Sequence, residues 1–225
     1  LEAIDAERLD NPALACIWAL AEALDEAIAP PERDLEAPFL LPIEGVHGIE
    51  GRGTVVTGRV QRGVLRKGDA VELLGNVGVG ADAAREVVVS DIECFHQARK
   101  NASAGENVGL LLRGVKRWEV NRGQVIAAPG SVVPRSRGEA ELYVLSGDEG
   151  GRRSPFGSGY KPQFFFGTTD VTGRLEVLEG GLVRPGERAT VGFVLGREVG
   201  LEAGMRFALR EGGRTIGAGV VTSVT

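Results

Sequence analysis

At Phe39 the spacing of apolar residues changes from three-and-four to two, and no single element satisfies both periods. Ahead of it, Leu14, Ile17, Ala21, Leu24 and Ile28 mark one face of a helix, widened by Trp18 and Leu20. Residues 13–28 contain neither Gly nor Pro. Asn11-Pro12 offers an N-cap followed by proline at the first helical position. Pro30-Pro31 ends the helix, because proline lacks an N–H and clashes with the preceding turn. Residues 29–38 (APPERDLEAP) read as a stiff polar linker.

Beyond Phe39 the chain alternates. Thr54, Val56, Gly58 and Val60 interleave with Val55, Thr57 and Arg59, and similar short runs hold Val71, Leu73, Val87, Val89, Ile92, Val108, Leu110 and Leu112. Turn signals separate them at Gly51-Arg-Gly53, Arg66-Lys-Gly-Asp69, Ala104-Gly-Glu-Asn107 and Asn121-Arg-Gly123. That pattern predicts a barrel or sandwich. Glycine supplies 34 of 225 residues, about twice its usual share. It follows no G-X-Y period, so tight turns explain it and collagen does not. Pro129-Gly130 and Pro134 mark a break. A second strand-rich block comes after it, with Leu142–Leu145, Phe164–Phe166, Ala189–Leu195, Met205–Arg210 and Thr215–Val224. The expected fold is mainly β: two β-barrel domains in tandem preceded by one α-helix, divided as 1–38, 39–130 and 131–225.

Several chemistries find no support. No G-x-S-x-G or H-E-x-x-H occurs, no Gly is followed by Lys, and a phosphate-cradling P-loop is therefore missing. His47 and His96 stand in no metal-ligand spacing and read as surface or edge residues. Cys16 and Cys94 form no C-x-x-C pair, which argues against a zinc site or disulfide framework and fits a cytoplasmic location. Cys94 reads as a half-buried strand residue. Asp148-Glu-Gly-Gly151 and Asp170-Val-Thr-Gly173 match a bare D-x-x-G, and both read as turns. No apolar run approaches the roughly 18 residues of a membrane helix, so no membrane partner is expected. The formal net charge of −5 gives no bulk attraction to nucleic acid, so such binding needs a local basic face. Basic residues cluster at Arg113/Lys116/Arg117, Arg135/Arg137 and Arg152/Arg153.

Seven long stretches carry a resemblance. PFLLPIE (38–44), GRGTVVTGRV (51–60), AGENVGLLLRGVKR (104–117), RGQVIAAPGS (122–131), DEGGR (148–152), PQFFFGTTDVTG (162–173) and REGGRTIGAGVV (210–221) closely resemble the elongation factor Tu family of bacterial and organellar type. The resemblance implies the family's second and third domains, both β-barrels. Residues 1–28 resemble the last helix of its GTPase domain, and the nucleotide-binding bulk of that domain is missing from the sequence. It implies aminoacyl-tRNA as ligand, with a GTPase domain, the ribosome or another protein chain as further partners. GTP and magnesium would enter only through the missing GTPase domain, so this chain alone is expected not to hydrolyse GTP. Carried over by position, Glu44, Thr57 and Asn107 match the wall of the aminoacyl pocket, and Glu93 the carboxylate on the terminal adenine. Arg152 and its neighbour Arg153, with Gln163, Thr172 and Gly212, match the T-stem surface. Asn107 also suits a turn. Arginine and backbone donors suit phosphate.

The departures fall near those positions. Where the family usually has Asp-Val-Phe after the first glutamate, this chain has Gly45-Val46-His47. A basic pair shortly after Glu93 becomes His96-Gln97, and GGRHTPFF becomes Gly150–Gly157 (GGRRSPFG). An arginine before TTDVTG becomes Gly167. They leave an alternative: a protein-interaction module that has lost tRNA binding, or a fragment of a GTP-dependent factor, which the opening Leu1 suits. The apolar stripe of residues 13–28 is expected to dock on a partner or to self-associate.

Overall fold

The computed structural model describes residues 15–49, 51–75 and 84–225. Asn11-Pro12, read as the start of the helix, lies outside the described residues. Helix α1 spans Ala15–Ala27 and buries none of its residues. The chain divides between Arg33 and Asp34. Asp34 already belongs to the larger unit: its carbonyl accepts from Gly63 N at 2.7 Å, and Arg62 Nε donates to Pro38 O at 3.1 Å. Within the 29–38 stretch, Asp34 and Pro38 are thus tied to the first barrel by hydrogen bonds that composition does not reveal.

The first barrel contains β1 (Leu40–Pro42), β2 (Gly45–Ile49), β3 (Gly53–Arg59), β4 (Val64–Arg66) and β5 (Ala70–Leu74). It continues with β6 (Ala84–Cys94), β7 (Gln97–Arg99), β8 (Asn101–Ser103), β9 (Asn107–Arg113) and β10 (Val125–Ala127). The main sheet runs β1-β10-β5-β6-β9-β3-β2, with β7 on β6 and a separate β4–β8 pair. The sheet rolls up because β1 meets the chain just past β3, where Gln61 N donates to Leu40 O at 2.8 Å and Leu40 N to Arg62 O at 3.1 Å. Period-two alternation works as expected: Thr54, Val56 and Gly58 are buried while Val55 and Thr57 are half-buried. Cys94 is buried rather than half-buried, its Sγ donating to Asn107 O at 3.3 Å.

The second barrel contains β11 (Pro134–Val144), β12 (Phe156–Gly157), β13 (Gln163–Phe166) and β14 (Thr169–Val177). It continues with β15 (Leu182–Val183), β16 (Arg188–Gly200), β17 (Arg206–Glu211) and β18 (Arg214–Val224). Six of these close as β11-β16-β14-β13-β17-β18, and β12 pairs with β15. Phe164, Phe166, Phe193 and Phe207 fill the interior at centroid separations of 5.4–6.4 Å. They dominate the burial energy of this domain.

Asp148–Gly151 is a turn as expected, but Asp170–Gly173 is not. It lies inside β14, where Thr169, Val171, Gly173 and Leu175 point inward. Gly173 serves close approach instead: a Cβ there would stand 2.7 Å from the Phe164 ring and 2.8 Å from Leu195.

The two barrels meet along a seam that mixes apolar and polar contacts. Arg62 of the first forms a two-pronged ion pair with Glu202 of the second, at 2.5 and 2.7 Å. The hydrogen bond to Glu202 raises the Arg62 pKa further. Thr169 Oγ1 donates to Gly123 O across the same seam. Gly123 adopts φ +90°, and a Cβ there would stand 3.2 Å from Thr169 Cα, so both its backbone and its lack of side chain are required.

Overpacking sets a test of the β14 assignment. Gly173→Ala is expected to destabilise the second barrel by about 1–3 kcal/mol, measured by urea unfolding. A neutral effect would mean that Gly173 does not face Phe164.

Candidate functional site

On the first barrel the strand register lines up residues far apart in sequence. Gly45 pairs with Thr57, Thr57 with Gly109, Gly109 with Glu93, and Glu93 with Ala98. Neighbouring strands lie about 4.8 Å apart, so this row crosses five strands on the outer face. Two of its members have no side chain. Thr57 therefore stands in a shallow trough between two glycines. A Cβ at Gly45 would lie 2.6 Å from Thr57 Oγ1 and 3.3 Å from His47 Nε2, so hydroxyl and imidazole flank the same point. Asn107 is one step along, opposite Arg59 on β3. Glu44 is exposed just ahead of β2, its N–H donating to Thr57 O at 2.8 Å. The structure thus brings Thr57, Glu93 and Asn107 onto one face and ties Glu44 to it through the backbone.

Glu93 is exposed, 3.6 Å from His96 Nδ1. Between them the β6–β7 turn places Phe95 at φ +48° and His96 at φ +63°. Such a turn favours Asn-Gly, and each left-handed non-glycine residue costs about 1–2 kcal/mol. Phe95 is 83% exposed beside Glu93, a candidate contact that sequence reading missed, because no glycine announces this turn. His47 and His96 are exposed, as expected. The face offers a hydroxyl, an amide, carboxylates and an aromatic ring, which together suit hydrogen bonding and stacking.

On the second barrel Gln163 pairs with Thr172 on one side and Arg210 on the other. All are outward on β14, β13 and β17. Arg210 stacks over Phe165 at 5.2 Å, and its Nη2 donates to Gly213 O at 2.8 Å. Gly212, at φ +53°, lies in the β17–β18 turn directly after Glu211.

Glu211 connects this turn to Arg152. The Arg152 guanidinium donates to Glu211 Oε2 at 2.5 Å, to the Tyr160 hydroxyl at 2.6 Å and to Ser154 O at 3.2 Å. It also lies over the rings of Tyr160 and Phe156, at 4.6 and 5.7 Å. Only 13% of the Arg152 side chain is exposed. Arg153, by contrast, is exposed. The two adjacent arginines therefore divide their tasks, one clamping the 147–160 loop and the other facing solvent.

Residues 53–127 match the elongation factor Tu domain 2 family, and residues 131–225 match the elongation factor Tu C-terminal domain family. The chain belongs to the elongation factor Tu family. Its two matched segments supply most of the two barrels, and β1 and β2, ahead of the first match, complete that sheet. An elongation factor Tu second and third domain is the translation-elongation type of module. Among the described residues no group of His, Cys, Asp or Glu gathers to hold a metal ion. None of the described helices is long and apolar enough to cross a membrane.

Burial, with the bond to Glu211, pushes the Tyr160 hydroxyl from 10 up to about 12, against the opposing charge of Arg152. Below pH 10 this phenol is neutral in the folded and the unfolded chain alike. Between pH 10 and about 12 only the unfolded chain releases the proton, so stability falls as pH rises. Tyr160→Phe is expected to flatten that part of the alkaline stability profile, read by denaturant melts at successive pH. Arg152→Ala should cost about 2 kcal/mol, because the 147–160 loop loses the mostly buried guanidinium that bonds Tyr160 and Ser154 O and packs on two rings. Arg153→Ala should leave the unfolding midpoint unchanged.

Proposed function

We propose that this chain binds the aminoacylated 3′ end of tRNA on the first barrel and the T-stem backbone on the second, in cytoplasmic translation elongation. In this reading Glu44, Thr57 and Asn107 contact the aminoacyl group and Glu93 the terminal adenosine. Arg153, Gln163, Thr172 and the backbone N–H of Gly212 bind phosphates and riboses, and Arg152 holds the loop that presents Arg153. GTP and magnesium act through a GTPase domain that joins these barrels, and the barrels on their own hydrolyse no GTP. The ribosome is the further partner. The observation that carries the reading is the Gly45–Thr57–Gly109–Glu93 row, whose missing side chains leave a trough beside polar groups.

Gly45 favours a second, narrower version. It places no carboxylate beside Thr57, so a charged α-amino group gains less there than at an aspartate. Acceptor-end binding then discriminates weakly between charged and uncharged tRNA.

Binding of aminoacylated and deacylated tRNA across a salt series tests both. Gly109→Leu, whose Cβ meets its nearest neighbour at an ordinary 3.4 Å, fills the trough without disturbing the sheet. It is expected to weaken aminoacyl-tRNA binding at least tenfold with the salt slope unchanged. Arg153→Ala should lower that slope by about 1. Gly45→Asp should increase discrimination in favour of charged tRNA. Wild-type affinity in the Gly109→Leu protein would overturn the acceptor-end assignment.

A further inference from the structure

The segment after β9 displays an aromatic side chain that no core requires. Trp118 stands on a single 3-10 turn, Arg117–Glu119, and is 74% exposed. Lys116 Nζ lies 5.3 Å from its ring centroid, a cation–π contact that steadies the indole. The turn beneath is firmly built. Glu119 accepts from Lys116 N at 2.8 Å and from Arg85 Nη1 at 3.0 Å, and Arg85 Nη2 donates to Gly114 O at 3.0 Å. These bonds consume the Glu119 carboxylate and hold its pKa below the ordinary range. Arg117 lies with its stem over Gly48 of β2, its Cβ 3.4 Å from where a Gly48 Cβ would sit, and its Nη1 bonds Val120 O at 3.2 Å. Arg113 is exposed at the end of β9. An exposed indole thus shares this turn with Lys116 and Arg117, while Arg85 and Glu119 neutralise one another beneath it.

We propose that Trp118, Lys116 and Arg117 form a platform for an unpaired RNA base and its adjoining phosphates. An indole stacks on any exposed base face, whereas bases inside a duplex have none to offer. Lys116 over one face of the ring and the exposed Arg117 next to it in the chain supply cations for the phosphates that flank a splayed-out nucleotide. An acidic peptide would satisfy the cations but leave the ring idle, so RNA is the better fit. The platform does not rest on the acceptor-end reading. Gly48 is three residues along β2 from Gly45, about 10 Å away.

The test uses the whole chain carrying Trp18→Phe, so that Trp118 is its one indole. The probe is a short fluorescein-labelled oligoadenylate with a 3′-phosphate, which blocks its use as an acceptor end. Binding is expected to quench Trp118 emission. Trp118→Ala should weaken binding about tenfold with an unchanged salt slope, and Trp118→Phe should recover most of the loss. Lys116→Ala with Arg117→Ala should lower the slope by about 1.4, since each contact on a single strand contributes about 0.7. Gly109→Leu should bind the probe as the parent does, which separates this platform from the trough. Three results overturn the proposal: equal binding by Trp118→Ala, equal quenching by a blunt RNA duplex, or equal quenching by polyglutamate. The last would identify an acidic protein surface as the occupant.

Discussion

The ion pair between Arg62 and Glu202 decides what the two barrels can do together. Barrels joined only by residues 128–133 would reorient by default, since interfaces of this kind are small and polar. The two-pronged geometry restricts that freedom, because a guanidinium fork accepts a carboxylate in one plane. The side chains are 23% and 31% exposed, so desolvation is incomplete and the Coulomb attraction is only partly screened. Thr169 bonding to Gly123 and Gly200 packed on Val125 and Val132 add contacts that vary with rotation. A cleft of about 480 Å³ remains beside the pair, so the seam is pinned at points rather than filled. The trough on one barrel and the Thr172–Gln163–Arg210 row on the other are thereby held at one offset. A ligand touching both must match that offset.

Much of this fold is written in period and punctuation. The alternation around Val56 and the turn signals flanking it specify β3 and its neighbours, because a half-buried strand needs nothing beyond its own pattern. The reading fails where tertiary contact sets a residue's role. Gly173 looks like a turn glycine inside Asp-Val-Thr-Gly, yet it is small because Phe164 and Leu195 occupy the space over it. Linear sequence carries no trace of that crowding. Edge strands such as β2 are equally quiet, since Gly45, His47 and Gly48 give no apolar rhythm.

The candidate site divides along the same line. Thr57, Glu93 and Asn107 are identifiable as residues through resemblance, but the two-glycine trough emerges only from strand register. Arg152 and Arg153 are indistinguishable as neighbours in a chain. Their environments differ because Glu211, 59 positions away, and Tyr160 claim the first and not the second. Phe95 and His96 are illegible as a turn because their left-handed backbone is imposed by the β6–β7 pairing and opposed by their own side chains.

Strand β2 lies beside both proposed surfaces. In the described sheet it has a single strand neighbour, β3, and it would otherwise present an open edge. Gly45 at one end leaves room over Thr57, and Gly48 at the other accepts the stem of Arg117. A side chain at Gly45 would crowd Thr57 Oγ1, 2.6 Å from its Cβ position, whereas at Gly48 the nearest atom, Arg117 Cβ, lies at an ordinary 3.4 Å. The 116–119 turn packs on β2 through Arg117, so the side chains proposed to meet nucleic acid stand next to the edge strand.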